Sequence, residues 1–551
     1  MGMTDAVIRL DQVSFEYAAA RGTGVRDITL EVRAGEVVVL CGSSGSGKST
    51  LARIANGLVP QFYEGTFRGS AQVAGVDVAH ADFSEVACVT GSVFQDPRTQ
   101  FFTGDTTSEL AFGPENLGVD PALIRQRVDA MAAGFDLTDL LGRSVLTLSG
   151  GEQQRLACAV ADMTDPPVLI LDEPSSTLDA TAVESLTRVL QHWKQAGKAI
   201  LIAEHRLDYL AGLADRFVYL ADGAMAGDFS HDQFLSLGPT RWEELGLRSP
   251  TGLATTVRPV HGGNAPSGPT LDLAGIRLTR GRHTVLDIAD AHLPLGTPLA
   301  VIGANGAGKS TLARWLAGLG GSGKGTMRFS SQTLPTAPAD RQSSRPHSGH
   351  MIPQGPLNRR QRLDTCYLVA QNTHHQLFSD TVLGEVLLSS QASARRQPEN
   401  RLDEAAARQI LADLDLDHLA DRHPLTLSGG EKQRLVIAVA MASRRRIVIV
   451  DEPTSGLDAT HMRQVAAAIE TLHHNGTCVI VITHDADLVA LTCGSVIRLN
   501  DGQITESYPL DTAGLAQAYA TLDPAINYPD PVVNPLVPDL TDPDRPTKGP
   551  Q

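Results

Sequence analysis

Two short stretches hold the residue types best suited to chemistry. Gly42-Ser43-Ser44-Gly45-Ser46-Gly47-Lys48-Ser49-Thr50 follows the apolar run Val37 to Cys41 and precedes Leu51-Ala52-Arg53-Ile54-Ala55. The run reads as a buried parallel strand and the sequel as a helix start, which is the setting of a phosphate-binding loop. Glycines let the backbone fold round a phosphate, and the loop N–H groups with the helix N-terminus supply positive potential. Lys48 would reach the β- and γ-phosphates of a nucleotide, and the Ser49 hydroxyl would ligate Mg²⁺. The motif returns as Gly303-Ala304-Asn305-Gly306-Ala307-Gly308-Lys309-Ser310-Thr311, again after an apolar strand, Leu299 to Ile302.

Two further apolar runs end in carboxylates. Val168-Leu169-Ile170-Leu171 leads into Asp172-Glu173-Pro174, and Ile447-Val448-Ile449-Val450 into Asp451-Glu452-Pro453. Phosphoryl transfer is mostly positioning plus charge neutralisation. Asp172 and Asp451 would hold Mg²⁺, directly or through water. Glu173 and Glu452 would polarise the attacking water as general bases.

The elements that must position these residues occur twice, in one order. Gln95 in Phe94-Gln95-Asp96-Pro97 is followed by Leu148-Ser149-Gly150-Gly151-Glu152, the Asp172-Glu173 pair, Ser175-Ser176-Thr177-Leu178-Asp179 and Glu204-His205. The second series is Gln371, Leu427-Ser428-Gly429-Gly430-Glu431, Asp451-Glu452, Thr454-Ser455-Gly456-Leu457-Asp458 and Thr483-His484. Ser149 to His205 (205 − 149) and Ser428 to His484 (484 − 428) both span 56 residues. The lysines are 261 apart (309 − 48) and the glutamates 279 apart (452 − 173), so the second copy carries 18 extra residues between them. Ser330 to Arg362, rich in Ser, Pro, Gln and Arg without apolar period, accounts for most of them and reads as a disordered or surface insertion.

β-Branched strands alternate with helical stretches such as Ala180 to Lys194. That pattern predicts an α/β fold for each half: a mostly parallel sheet with helices on both faces. Ile8 to Tyr17 and Asp27 to Val32 read as an antiparallel β subdomain around the base of the nucleotide. The polar segment between Gln95 and Ser149 reads as a helical subdomain. The domains expected are 7–245 and 270–510, with 330–362 as the insertion. A flexible Gly/Pro/Ser-rich linker at 246–269 joins them, and 511–551 is a C-terminal extension with a Pro/Asp-rich, disordered tail.

Composition narrows the partners. The chain has 551 residues, 42% of them hydrophobic and 20% charged, with a net charge of −16. The acidity argues against nucleic-acid binding, which runs on basic surface. No apolar run approaches the ~18–20 residues of a membrane span, and the opening MGMTDAVIRLDQ lacks a basic-then-apolar targeting pattern. The six cysteines form no CxxC and read as small buried hydrophobes.

The ordered series, with LSGGE-x-QRL beside two phosphate loops, resembles the ATP-binding cassette (ABC) ATPases over roughly 7–230 and 270–505. The resemblance implies two tandem P-loop ABC ATPase domains closing head to tail as an intramolecular pseudo-dimer with two ATP and Mg²⁺. Gln95 and Gln371 then match the Q-loop glutamine, which contacts Mg²⁺ and the attacking water, and His205 and His484 the switch histidine. Asp179 and Asp458 match the D-loop that crosses to the opposite site. Ser428, Gly429 and Gly430 would cap ATP on Lys48, and Ser149, Gly150 and Gly151 would cap ATP on Lys309. Tyr17 matches the aromatic that stacks on adenine; its counterpart by spacing is Arg280, whose guanidinium can stack on a base for about 0.5–2 kcal/mol.

The segments Gln95-Asp96-Pro97-Arg98-Thr99-Gln100-Phe101-Phe102, Glu109-Leu110-Ala111-Phe112-Gly113-Pro114-Glu115 and Gln376-Leu377-Phe378 resemble energy-coupling factor (ECF) ATPases in their duplicated, single-chain form. That implies a peripheral protein on the cytoplasmic face of a prokaryotic membrane. Its partners would be a transmembrane coupling subunit and a substrate-binding membrane subunit importing a vitamin, vitamin precursor or transition-metal ion. The second half departs after Glu385, where Leu387-Leu388-Ser389-Ser390 replaces Ala-Phe-Gly-Pro. The alternatives are a soluble tandem cassette acting on ribosomes and the ATPase of an exporter. A DNA-repair or chromosome ATPase would need zinc clusters or long coiled coils, which the sequence lacks.

Overall fold

Each half is built round a six-stranded sheet whose central strands are too apolar to face water on either side. In the computed structural model, which describes residues 6–18, 22–251, 269–281, 283–320, 323–329, 355–394 and 401–523, the first sheet runs Ala224–Ser230, Arg216–Ala221, Val37–Cys41, Ala199–Ala203, Val168–Asp172, Thr90–Val93. Its neighbours pair in parallel except for the antiparallel edge Ala224–Ser230. The second sheet repeats the order: Gln503–Pro509, Ser495–Asn500, Leu299–Ile302, Cys478–Ile482, Ile447–Asp451, Cys366–Val369. Every residue of Val37–Cys41, Ala199–Ala203, Ile447–Asp451 and Cys478–Ile482 is buried, as a strand covered by helices on both faces must be.

An antiparallel sheet flanks each central one. In the first half Ala6–Tyr17 lies between Gly24–Arg33 and Gly65–Val73; in the second, Thr270–Arg280 lies between His283–Pro294 and Gly323–Phe329. Helices Thr106–Asn116 and Pro121–Gly134, and in the second half Val382–Ala394 and Glu404–Asp413, form the helical subdomains. No helix among the described residues is long and apolar enough to cross a membrane.

Helix Ala180–Gln195 shows how a buried polar group is satisfied where the packing needs one. Val183, Leu186, Leu190 and Trp193 share its buried face, at the i, i+3, i+7, i+10 spacing of one helix side. The Trp193 indole N–H donates to Asp162 at 2.9 Å, and Asp162 is in turn paired to Lys198 at 2.6 Å.

Three boundaries differ from the sequence reading. The stretch read as flexible linker from Gly246 begins with Leu247, Arg248, Ser249 and Pro250 all buried; 252–268 lie outside the described residues. Apolar Leu247 packs into the first core, and Arg248 hydrogen-bonds the second half, contacts a Pro/Gly/Ser composition does not announce. The insertion read as 330–362 gives way to ordered chain before its end: Leu357 is buried and Asn358 caps helix Arg359–Thr365, while 330–354 are outside the described residues. Within the C-terminal extension read as 511–551, helix Thr512–Leu522 is ordered and Asp523 at its end is buried; 524–551 are outside the described residues.

Candidate functional site

The phosphate loops take their shape from strand packing as much as from any ligand. Gly42 and Gly303 have φ 146° and 143°, and a Cβ at either would collide with the carbonyl of Leu220 or Leu499 on the adjacent strand. Gly45 and Gly306, at φ 80° and 83°, face open space. Gly47 and Gly308 precede helices Lys48–Ala55 and Lys309–Leu316 and offer no side-chain cap, which leaves first-turn N–H groups free for an anion. Lys48 Nζ donates to the carbonyls of Gly42 and Ser43 at 3.0 Å each, and Lys309 Nζ to Gly303 and Ala304 at 2.6 and 2.9 Å. Burial pulls both lysines below their ordinary pKa, opposed chiefly by Glu173 and Glu452.

The magnesium candidates meet as pairs. Ser49 Oγ donates to Asp172 Oδ1 at 2.8 Å, and Ser310 hydrogen-bonds Asp451. Burial raises the pKa of both aspartates. Asp451 Oδ1 is buried with no hydrogen-bond partner among the described residues. A hydroxyl beside a carboxylate, with a carboxylate oxygen left over, is an oxygen donor set that suits a hard cation.

The general-base candidates share a backbone feature invisible in sequence. Glu173 and Glu452 both lie in the left-handed region, at φ 46° and 50°, a costly place for a residue with a Cβ. Their N–H groups donate to Ala203 and Ile482 at 2.8 Å each, so the strand pairing continues through the kink and holds it. Glu173 Oε2 accepts from Gln95 at 2.6 Å, and His205 Nε2 is 3.4 Å from its other oxygen. In the second half His484 Nε2 is 3.4 Å from Glu452 Oε1, and Lys309 Nζ donates to the same nitrogen at 2.9 Å. Burial raises Glu452 to about 8, and burial with Lys309 lowers His484 to about 3. Gln371, Arg280, Gly306, Gly308, Ser310 and Thr311 line a cavity of about 430 Å³ with these groups.

Both centres are completed from the opposite half. Asp458 Oδ2 accepts from Ser44 N at 2.6 Å, and Asp179 Oδ2 accepts from Asn305 N at 2.7 Å. Burial works to raise Asp458, but hydrogen bonds from His461 and Ser44 outweigh it and hold the carboxylate far below the usual range. The signature residues are placed differently. Ser149 and Ser428 cap helices Gly150–Asp162 and Gly429–Ala442 in reciprocal bonds with Glu152 and Glu431. Ser149, Gly150 and Gly151 are not among the residues lining the Lys309 cavity; Ser176, Thr177 and Leu178 face it instead. Tyr17 sits beside the first loop, its hydroxyl 3.2 Å from Thr50 Oγ1 and its ring edge-on to Tyr63.

Sequence reasoning passed over four residues that hold the glutamine loops. Gln100 accepts from Phe94 N and donates to Ser92 O; Gln376 does the same with Ala370 and Leu368. Buried Glu109 accepts from Phe102 N and Thr103 N, and buried Glu385 from Phe378 N and Ser379 N. A signal was available: the offsets from Gln95 and Gln371 are identical, 5 residues to the glutamine (100 − 95, 376 − 371) and 14 to the glutamate (109 − 95, 385 − 371).

Comparison with known proteins places the chain in a family. The ABC transporter family model matches residues 25–176 and 286–455. A protein of Treponema denticola, provisionally named an ABC transporter ATP-binding protein, is 36% identical over 91% of this chain and 96% of its own length. A Bacillus subtilis protein, provisionally named the HMP/thiamine import ATP-binding protein YkoD, is 30% identical over 90% of this chain and 90% of its own length. Among solved structures, an archaeal ribosome recycling factor in complex with the ribosomal stalk protein aP1 aligns with TM-score 0.59 over 93% of this chain and 92% of that one. At 20% identity that likeness concerns the fold.

Proposed function

The chain belongs to the ABC transporter family, and from that premise we propose that it is the ATP-hydrolysing subunit of an ECF-type importer, with two ATP sites between its halves. The observation that carries the ATPase part is the exchange of Asp458 and Asp179 onto the opposite phosphate loops. Each site then needs both halves, so ATP binding and closure are one event.

In this reading Lys48 and Lys309 leave the loop carbonyls for the β- and γ-phosphates. Ser49 with Asp172, and Ser310 with Asp451, hold Mg²⁺, which neutralises phosphate charge. Glu173 and Glu452 orient a water and accept its proton as its oxygen attacks the γ-phosphorus, and the bond to the β–γ bridging oxygen breaks. Gln95 and Gln371 position the same water, and His205 and His484 brace the γ-phosphate. Tyr17 and Arg280 take the base faces. Ser149, Gly150, Gly151 and Ser428, Gly429, Gly430 close over the nucleotides on further approach of the halves.

The importer part is supported by the Gln95–Phe102 segment and by the import function printed in the name of the Bacillus relative. Beside the Gln95 loop, Phe102 and Phe112 stack at 5.2 Å while exposed by 76% and 37%. Phe378 is equally exposed at 77% in the second half, with Leu388 at 46% where the first has Phe112. Two exposed apolar patches of different composition suit a membrane coupling subunit that meets the halves through non-identical segments.

The test is affinity capture of the tagged chain from detergent-solubilised native membranes. Co-elution of a polytopic membrane protein with a small membrane-embedded substrate-binding protein is expected. Recovery of ribosomes, or of no membrane protein, would overturn the importer reading and leave the ATP chemistry standing.

A further inference from the structure

Arg248 lies just past the end of the first domain, in the stretch whose composition reads as linker, yet it is only 8% exposed. Its guanidinium forks between two elements of the second half. Nε and Nη2 donate to Leu457 O at 3.2 and 3.1 Å, and Nη1 donates to Asp485 Oδ2 at 2.8 Å.

Both recipients adjoin site residues. Leu457 immediately precedes Asp458, the carboxylate that crosses to Ser44 at the first site. Asp485 immediately follows His484, which touches Lys309 at the second site. Asp485 Oδ2 also accepts from Thr454 Oγ1 at 2.8 Å, two residues beyond Glu452. One side chain therefore ties the first site's crossing loop to the second site's histidine.

The arrangement is reciprocated with charge inverted. Arg206, which follows His205, is the counterpart of Asp485 (485 − 206 = 279), the offset that relates Glu173 to Glu452. Arg206 pairs with Asp208 at 3.3 Å, and Asp523, at the end of the second domain's last helix, hydrogen-bonds Asp208. The C-terminal strap of each half thus ends on the switch loop of the other. The planar fork presents its donors to the carbonyl and the carboxylate in a fixed geometry; a lysine ammonium would serve them as a point charge on a flexible stem.

We propose that Arg248 is a positioning residue that couples the two ATP sites. The same guanidinium sets Asp458 against the first phosphate loop and His484 against the second. This rests on the ATPase reading, not on the importer reading.

The test is single-turnover hydrolysis by the purified full chain loaded with two ATP, comparing the natural protein with Arg248→Lys and Arg248→Met. Misplacing site groups by about 1 Å can cost about 100-fold in rate. For Arg248→Lys we expect a slowing of about tenfold in both ADP equivalents, with ATP affinity within about twofold, since ground-state phosphate contacts are kept. Slowing of only one equivalent, or of neither, overturns the coupling, as does a loss of ATP affinity that accounts for the whole effect. Thermal unfolding of each variant checks the fold; if Arg248→Met does not fold, Arg248→Lys, which keeps the buried charge, decides. A natural chain that makes no ADP would sink the ATPase reading instead, so the two failures are distinct.

Discussion

Asp458→Ala is the most direct probe of the crossed architecture. In the native chain its carboxylate accepts from Ser44 N at 2.6 Å, 414 residues away in sequence, and from His461 N and Nδ1 at 2.8 Å each. The alanine removes a charge-assisted bond to the phosphate loop, worth about 1.5–3 kcal/mol. It also removes the cap of helix Ala459–His474, worth about 0.5–2 kcal/mol. The first loss is local to Ser44. At 1.4 kcal/mol per decade, amide exchange at Ser44 should accelerate by about 10- to 150-fold if opening there governs exchange. Hydrogen–deuterium exchange with fragment analysis reads this on the peptide spanning 42–47. The Asn305 amide, held by Asp179 at 2.7 Å, is the internal control and should keep its rate. Asp179→Ala should reverse the pattern. Unchanged exchange at Ser44, or equal acceleration of both loops, would refute the exchange of aspartates between the halves.

Replacing both Glu173 and Glu452 by Gln should leave ATP binding intact and lower steady-state turnover by about 10²–10⁴-fold, the range of general-base catalysis; wild-type turnover in the double variant would remove these residues from that role. Lys198→Met should leave Asp162, only 4% exposed, without the partner it meets at 2.6 Å. Breaking a buried pair costs about 3–5 kcal/mol, so calorimetry should show a marked fall in unfolding temperature of the first half. Glu452, raised by burial from 4.5 to about 8, binds its proton more tightly folded than unfolded. Its contribution therefore favours the fold at low pH and is lost as pH rises from about 4.5 through about 8. Without nucleotide, the natural chain should lose more thermal stability between pH 6 and pH 9 than Glu452→Gln does; equal losses would count against a raised Glu452 pKa in the fold.

Much of this was legible because its determinants are local. A buried parallel strand writes itself as consecutive apolar residues, as in Val37–Cys41 and Cys478–Ile482. A phosphate loop needs its glycines and lysine within nine residues. Repetition of the series then placed Gln371 by its order, and Asp451 and His484 by a common offset of 279 residues (451 − 172, 484 − 205), and the α/β architecture with its antiparallel and helical subdomains followed. Legibility failed where composition stood in for contacts. The Gly/Pro/Ser-rich joint contains Leu247 to Pro250, buried because one end meets the first core and Arg248 meets the second half.

The sequence by itself determined which residues could handle phosphate, and that there are two sets. Strand, loop and helix are fixed within a dozen residues by steric and periodic rules. Only the tertiary structure decided how the sets are shared: Asp458 on Ser44, Asp179 on Asn305, Arg248 on Asp485. Those partners lie 126 to 414 residues apart. A carboxylate's residue type fixes what it can bind, but its partner is set by which surfaces meet when the two halves fold together, and no local pattern carries that.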